Sequence, residues 1–433
     1  MRAEPMRARA AIGGLGLAAA LLLAPEPALA RTLFEEGELT LELRSAFKGS
    51  LLLAIPYATD PVFFPDSPGG AGLFRLRFDL TANLTEYFTA SVAYEHRVRS
   101  SSGGSIGTGL LPSTAAVPFR LTAGDWVLIQ DGTSYVHQHE LDRAYVSLHF
   151  DFMELTVGRQ AIGLGRGLMF SAVDVFAPFS PTEVDREWRR GIDAVHLELR
   201  IPQISELSAD VIAAFGAVEG DELTSWSLIG RVRAILGDVD ASVLLGRRAE
   251  DNIVGAVISA NLGDAEVHAE LAMFGTNGQG IDGGFLGTDA VVAKGVIGGS
   301  YVIDIGSGLH VAAEYHYSGF GVDNIGDDPS ILYDPAFQLR FARGDSQLLG
   351  RHAIAASVSY SLQDDLSGAI AYIQSPVDGS GTAGATFTWN QSDNVTILLN
   401  VFVPWGTPPE SGVPTSEWGS SPLTIFLQAR LYD

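Results

Sequence analysis

The feature that most narrows the fold of this chain is alternation. In Phe74-Arg75-Leu76-Arg77-Phe78-Asp79-Leu80 every even position is apolar and every odd one charged, so a strand built from it has one greasy and one wet face. The same period of two runs through Val239 to Leu245, Ala265-Glu266-Val267-His268-Ala269-Glu270-Leu271 and Val395-Thr396-Ile397-Leu398-Leu399-Asn400-Val401. No segment offers a convincing helical period. Hydrophobic residues make up 46% of the chain and mean hydropathy is +0.19, yet after residue 30 no apolar run approaches the roughly eighteen residues of a spanning helix. Two classes remain: a large water-soluble β protein, or a membrane barrel whose apolar side chains are dispersed by alternation.

Residues 1–30 read as an export address. Arg2, Arg7 and Arg9 give a basic start, Ala10 to Ala24 an apolar stretch, and Ala28-Leu29-Ala30 a small-x-small cleavage site. The apolar stretch is too short for a membrane anchor, which needs about twenty residues. The mature chain is expected to begin at Arg31. The leader carries three Arg and two Glu, so the net charge of −24 becomes −25 over the remaining 403 residues. Such acidity argues against a nucleic-acid partner, which demands a basic footprint. There is no Cys, so neither disulfides nor thiolate chemistry can contribute.

The alternating segments predict eighteen strands, near 38–46, 71–82, 87–99, 139–150, 152–161, 191–201, 205–215, 224–236, 238–248, 252–262, 264–274, 290–304, 308–320, 350–363, 365–376, 382–391, 394–404 and 421–432. That is about 22 residues per strand and connection, as expected where strands of about ten residues cross a bilayer. The connections alternate in length. Gly237-Asp238, Gly263-Asp264, Gly306-Ser307-Gly308, Asp364-Asp365 and Ser392-Asp393 are tight turns, whereas 47–70, 100–138, 162–190, 275–289, 321–349 and 405–420 are long; two links on the long side, 216–223 and 249–251, are short. Segregation of long links to one end predicts an all-β fold, a transmembrane antiparallel up-and-down barrel with periplasmic turns, external loops and both termini periplasmic.

A charge against hydrocarbon costs roughly 2–4 kcal/mol for Arg or Lys at the midplane, so the charged parity must line the lumen. Arg75, Arg77, Glu95, Arg97, Arg143, Glu266, Glu270, Lys294, Glu314, Arg351 and Arg430 are the expected lining. An interior this polar calls for water, hence a pore rather than a packed core. In the last segment Leu423, Ile425, Leu427, Ala429 and Leu431 share one face and Tyr432 supplies an edge aromatic. Here the chain resembles outer-membrane barrel proteins, whose final strand the barrel-assembly machinery recognises, although it closes on Asp433 instead of an aromatic.

The third long link is the richest stretch. It runs from Gly158-Arg159-Gln160 through the glycines 163, 165 and 167 to Asp174, then to Asp185-Arg186-Glu187-Trp188-Arg189-Arg190. A link of about 29 residues with mixed charge is long for filler. It resembles the segment of the alginate-export-like and related porin families in which a "GRQ" strand end leads into an inward-folded loop. The resemblance implies an outer-membrane channel for passive diffusion of small hydrophilic solutes. Loop 162–190 would then narrow the pore through Arg159, Arg166, Glu183, Asp185, Arg186, Glu187, Arg189 and Arg190, and clustered guanidinium groups would favour anions. The bland alternative is that Glu183, Asp185 and Glu187 pair with these arginines and pin the loop.

Other functions are weaker. An export pore for an anionic polysaccharide is the runner-up. Glu314-Tyr315-His316-Tyr317-Ser318 superficially resembles the His-x-Ser pair of outer-membrane phospholipases, but parity turns His316 and Ser318 to the lumen. The glycine-rich turn opens no helix, which disfavours a nucleotide site. An energised receptor would carry a plug of over a hundred residues ahead of its barrel, whereas here the first strand starts about ten residues past the cleavage site. His137 and His139 lie two apart as an ordinary polar pair. No metal, cofactor or catalysis is expected; the expected surroundings are outer-membrane lipid and lipopolysaccharide. The acidic excess in the long links, including Asp327, Asp328 and Asp345, reads as a solvated, self-repelling surface.

Overall fold

The computed structural model describes residues 31–433 apart from 61, 65–67, 103–116, 123–124, 133, 202–203, 205, 217–225, 277–289, 327–329, 331 and 333. The export segment, Asp327 and Asp328 lie outside the described residues.

All eighteen expected strands are present. They are β2 (Leu39–Ile55), β3 (Gly69–Thr85), β4 (Phe88–Ser101), β6 (Tyr135–Phe150), β7 (Met153–Gln160), β8 (Ile192–Arg200), β9 (Leu207–Phe215), β10 (Trp226–Leu236), β11 (Val239–Arg248), β12 (Asp251–Leu262), β13 (Ala265–Gly275), β14 (Val291–Ile303), β15 (Leu309–Ser318), β16 (His352–Ser361), β17 (Leu366–Gln374), β18 (Gly381–Ser392), β19 (Val395–Trp405) and β20 (Leu423–Tyr432). Each pairs antiparallel with its neighbours, and β20 returns to β2 over Tyr432↔Ala46 to Leu423↔Ile55, so the sheet closes. Closure leaves no free edge along this wall.

The two faces separate as alternation requires. Arg75, Arg77, Glu95, Arg97, Glu270, Lys294 and Glu314 are buried inside, while Leu51, Leu53, Val92, Val243, Leu245, Val254, Ile258, Leu271, Ile297, Ile370 and Leu427 are exposed outside. An outer band this apolar suits hydrocarbon rather than water. Asp142 and Arg143, although adjacent in sequence, both reach the interior. The pairing shifts there, with Ala93 opposite Arg143 and Tyr94 opposite Leu141, so Asp142 is the extra residue of a β-bulge.

Three elements were not expected from the sequence. β1 (Arg31–Glu36) is a hairpin partner of β2, covering Leu39 to Leu43 below the point where β20 ends. β5 (Asp125–Asp131) pairs with Tyr135 to Glu140 of β6, above the reach of β7. A short helix, α1 (Pro335–Ala342), lies in the long 319–351 connection. The alternation rule misses β5 because Trp126, Val127, Leu128 and Ile129 are all exposed, so no polar face interrupts the run.

Gly158, in the "GRQ" strand end, has a positive φ of 123°, and a Cβ there would sit 2.2 Å from the Ala144 carbonyl oxygen. Only glycine lets β7 lie this close to β6.

Candidate functional site

The 161–191 segment leaves β7 and returns at β8, but its hydrogen bonds reach the far wall. Glu270 of β13 accepts the backbone N–H of Gly167 at 2.8 Å, of Arg166, of Ala172 at 2.7 Å and of Val173 at 3.3 Å, and also the Ser171 hydroxyl at 2.8 Å. Glu314 of β15 accepts the N–H of Leu168, of Met169 at 2.8 Å and of Phe170 at 3.1 Å, and lies 2.8 Å from His268 Nε2. Two wall carboxylates thereby organise a tight run of loop backbone inside the barrel. The glycines permit it: a Cβ on Gly165 would lie 2.1 Å from Ser171 Oγ, and one on Gly167 1.7 Å from the Phe170 carbonyl oxygen. Their role is close packing around a protein carboxylate.

The second half of the segment returns to the wall near the closure. Asp185, buried, accepts from Lys48 Nζ at 2.7 and 3.0 Å and from Arg75 at 3.0 Å. Burial alone would push the Asp185 carboxyl up, but Lys48 and Arg75 hold it below the usual range. Glu187 meets Lys48 at 2.6 Å and accepts the Tyr432 hydroxyl at 2.7 Å. The Trp188 ring lies against three cations, with Lys48 Nζ 3.7 Å, Arg77 4.8 Å and Arg75 5.0 Å from its centre.

Each arginine of the expected guanidinium cluster has a partner in the structure. On the wall, Arg75 forks onto Glu95 at 2.9 and 3.0 Å, Arg77 onto Asp79 at 2.9 and 3.0 Å and onto Asp142 at 2.8 Å. Arg97 pairs with Glu95 and with Glu140 at 2.6 Å, and Arg143 donates to Asp142 at 2.8 Å. In the loop region, Arg159 forks onto Asp193 at 2.7 and 2.9 Å and donates to the carbonyls of Leu141 and Thr122. Arg166 pairs with Asp240, Arg189 with Asp174, and Arg190 with Glu140 at 3.5 Å. Arg186 donates to the carbonyls of Leu168, Ser180 and Pro181. Glu183 accepts the Ser180 N–H at 3.3 Å. Asp185 and Glu187 pair with wall cations, whereas Asp174 and Glu183 bond within the loop. Arg351 bonds Asp323 at 3.0 Å, Arg430 donates to Gln428, and Glu266 is half-buried on the His268 face.

A second connection meets the first. Arg248 of β11 donates to the Val175 carbonyl at 2.6 Å and pairs with Asp345. Arg340 of α1 forks onto Asp251, and Arg343 reaches Glu250 at 2.6 Å. Asp345 is 2% exposed, which corrects its reading as a solvated surface acid. Phe170, Val173, Val175 and Phe176 of the first segment pack with Phe320, Val322, Phe337 and Leu348 of the second, and with Phe119 and Trp418. The interior therefore carries an apolar cluster shared by the loops and by inner-face strand residues such as Ile212, Ile229, Leu244 and Phe274, beside the charged stretches of wall. His316 and Ser318 are buried on the inner face, with the Phe170 ring stacked 4.9 Å from that of His316.

A third connection is clipped to the second by Glu417, which accepts the N–H of Leu349 at 3.0 Å and of Gly350 at 2.6 Å. Enclosure of its carboxyl end pushes the pKa up to about 7, with Asp378 adding to the rise. A carboxyl raised on folding contributes stability that is complete below its unfolded value of about 4.3 and is lost as pH climbs through the folded one. Proteolytic nicking of 406–422 is expected to quicken between pH 6 and pH 8. Glu417→Gln should flatten that profile; a variant keeping the parental pH slope would assign it to another group.

No family model matches the chain, and no curated protein matches it. Solved structures do match in fold. OccK5 (OpdH) of Pseudomonas aeruginosa is 11% identical, with a TM-score of 0.52 over 90% of this chain and 97% of that one. OccK9 (OpdG) of the same organism is 10% identical, with a TM-score of 0.54 over 91% and 97%. OpdK of that organism with vanillate is 11% identical, with a TM-score of 0.51 over 91% and 98%. The resemblance to alginate-export-like proteins read from Gly158-Arg159-Gln160 finds no support in these matches. At such identities the likeness is one of architecture, and in architecture this chain is similar to the outer-membrane porins.

Proposed function

We propose that this protein is an outer-membrane porin, a channel through which small hydrophilic solutes diffuse passively. The observation that carries the reading is a closed barrel, apolar outside and charged inside, crossed by the 161–191 segment. In this reading the segment is the constriction: Arg166, Asp185, Glu187 and Arg190 tie it to the wall, Glu183, Arg186 and Arg189 brace it from within, and Arg159 fixes the strand end from which it departs. The short turns and both termini face the periplasm, and the long links face outward among lipopolysaccharide. Residues 1–30 are removed on export, and the barrel-assembly machinery inserts the rest. The fold-mate solved with vanillate is consistent with a small organic solute. A polymer exporter is disfavoured, because a segment tied to both walls obstructs a continuous chain. A lipid hydrolase is disfavoured, because His316 and Ser318 face inward.

Planar-bilayer recording of the refolded protein tests the reading. Stable conductance steps are expected, and the reversal potential in a salt gradient tells whether Lys48, Arg75 and Arg77 around Trp188 or the interleaved acids dominate selectivity. A folded, heat-modifiable barrel giving no steps would overturn the proposal.

A further inference from the structure

The outer wall is almost free of charge, as a surface against hydrocarbon must be. Of the arginines and lysines on the described wall strands β2–β20, parity turns only Arg159 and Arg247 outward, and Arg159 is buried onto Asp193. Arg247 of β11 is exposed, just below the turn at Ala249. Its Nε donates to the Ala249 carbonyl at 2.9 Å, and its guanidinium lies 4.8 Å from the centre of the Trp226 ring. The neighbouring acids do not neutralise it: Glu250 is turned to Arg343 and Asp251 to Arg340, both buried inside. Its cross-strand partner, Asn252 of β12, is exposed on the same face.

Its height on the wall follows from the strand. Arg247 lies eight residues past Val239 at the start of β11, about 26 Å along the chain and, at a tilt of about 40°, about 20 Å up the wall. Because Nε bonds a carbonyl two residues further on, the side chain points up the strand. That carries the guanidinium to the long-link margin of an apolar band about 25 Å tall. At the midplane an arginine would be excluded, but at this margin it costs little. An indole such as Trp226 suits the same depth.

We propose that Arg247, with Asn252 and Trp226, binds the phosphate group of a membrane lipid whose acyl chains lie along Leu228, Leu245 and Val254. The inference rests on the channel reading for its direction: with the long links facing outward, the lipid is a phosphorylated glycolipid of the outer leaflet. Guanidinium, side-chain amide and indole N–H all present donors, and among the described residues no carboxylate pairs with Arg247. With Nε tied to Ala249, the two terminal nitrogens remain open, in the planar fork that takes two phosphate oxygens at once. The apolar strip begins directly beside the cation. Leu228 is the cross-strand partner of Arg247 itself, and Val254 that of Leu245, which is 63% exposed. A free phosphate has no use for such a strip, whereas a phosphate carried on acyl chains meets both parts together.

Native mass spectrometry of the refolded protein in detergent, titrated with diphosphoryl lipid A, tests the site. Arg247→Gln should lower affinity for this lipid about tenfold or more, the loss of a charge-assisted pair. Fully dephosphorylated lipid A should bind the parent no better than the diphosphoryl form binds the variant. Arg44→Gln, which removes an exposed arginine near the opposite end of β2, should leave binding unchanged. Heat-modifiability confirms that each variant is folded, and Arg247→Lys supplies a charge-keeping replacement that should retain more affinity than Arg247→Gln. Equal affinity in the parent and in Arg247→Gln, no preference for the phosphorylated lipid, or release of the lipid by millimolar inorganic phosphate would overturn the proposal. Because the site is outside the lumen, parent and variant should give the same conductance steps. Steps without an Arg247 effect sink this inference alone, and absence of steps sinks the channel reading instead.

Discussion

Glu270→Gln combined with Glu314→Gln is expected to raise single-channel conductance about twofold or more, because it releases the segment that crosses the lumen. The two carboxylates accept only, and every partner around them other than His268 is a backbone N–H or the Ser171 hydroxyl. Glutamine has the same shape but presents an NH₂ where backbone N–H groups, which can only donate, need an acceptor. Each bond to a charged acceptor contributes about 1.5–3 kcal/mol, and a buried donor left without an acceptor costs a similar amount. The change removes several such bonds along one stretch of eight residues, Arg166 to Val173. The barrel should stay heat-modifiable, since β13 and β15 keep their ladders. Parental conductance in the double variant would show that the segment is held by its Asp185 end alone, or that it does not set the pore.

Asp345→Ala should free the 319–351 connection while leaving the barrel closed. Asp345 meets Arg248, Arg340 and Arg343, and these arginines hold its carboxyl far below the usual range in spite of burial. Deleting one member of a buried ionic network typically costs about 3–5 kcal/mol, because the remaining charges are stranded away from water. The expected readout is trypsin cleavage at Arg340 and Arg343, which the parent resists. For a carboxyl depressed on folding, stabilisation is complete above its unfolded value of about 3.9 and is lost only as pH falls through the folded one. Resistance in the parent should therefore be flat from pH 5 to pH 8. Full resistance in the variant would place the anchoring in the apolar packing of Phe337 and Phe320 instead.

What the sequence made legible was the part governed by local chemistry. Phe74 to Leu80 announces a strand because each side chain's face is set by its own position parity, and all eighteen such strands exist. The elements it missed lack that signature. β1, Arg31-Thr32-Leu33-Phe34-Glu35-Glu36, does not alternate, and the centre of β5 is apolar on both faces. The bulge at Asp142 breaks parity from within, so Arg143 reached its expected place for a reason alternation does not contain. Electrostatic partners were the least legible. Arg75 and Asp185 are 110 residues apart, and nothing near either one indicates the other. Arg166 and Arg190 likewise find Asp240 and Glu140 on distant strands, whereas Arg186 and Arg189 bond Leu168, Ser180, Pro181 and Asp174 within their own loop. Likewise the stacking of His96 on His139 became visible only once the β4–β6 register was known.

The seam between β2 and β20 carries a kinetic consequence. Every other contact in the wall joins segments close in sequence and can form as each hairpin is made. Ser45 and Asp433, which bond across the seam, are 388 residues apart. The search that brings such distant ends together is the slow step, since its entropic cost falls on contacts that are rewarded only at the end. Until then β2 is an edge strand, with unpaired amides inviting the wrong neighbour. The β1 hairpin occupies the lower part of that edge from the outset, so the stretch left to pair runs only from Ser45 upward, and β20 has a single register in which to arrive.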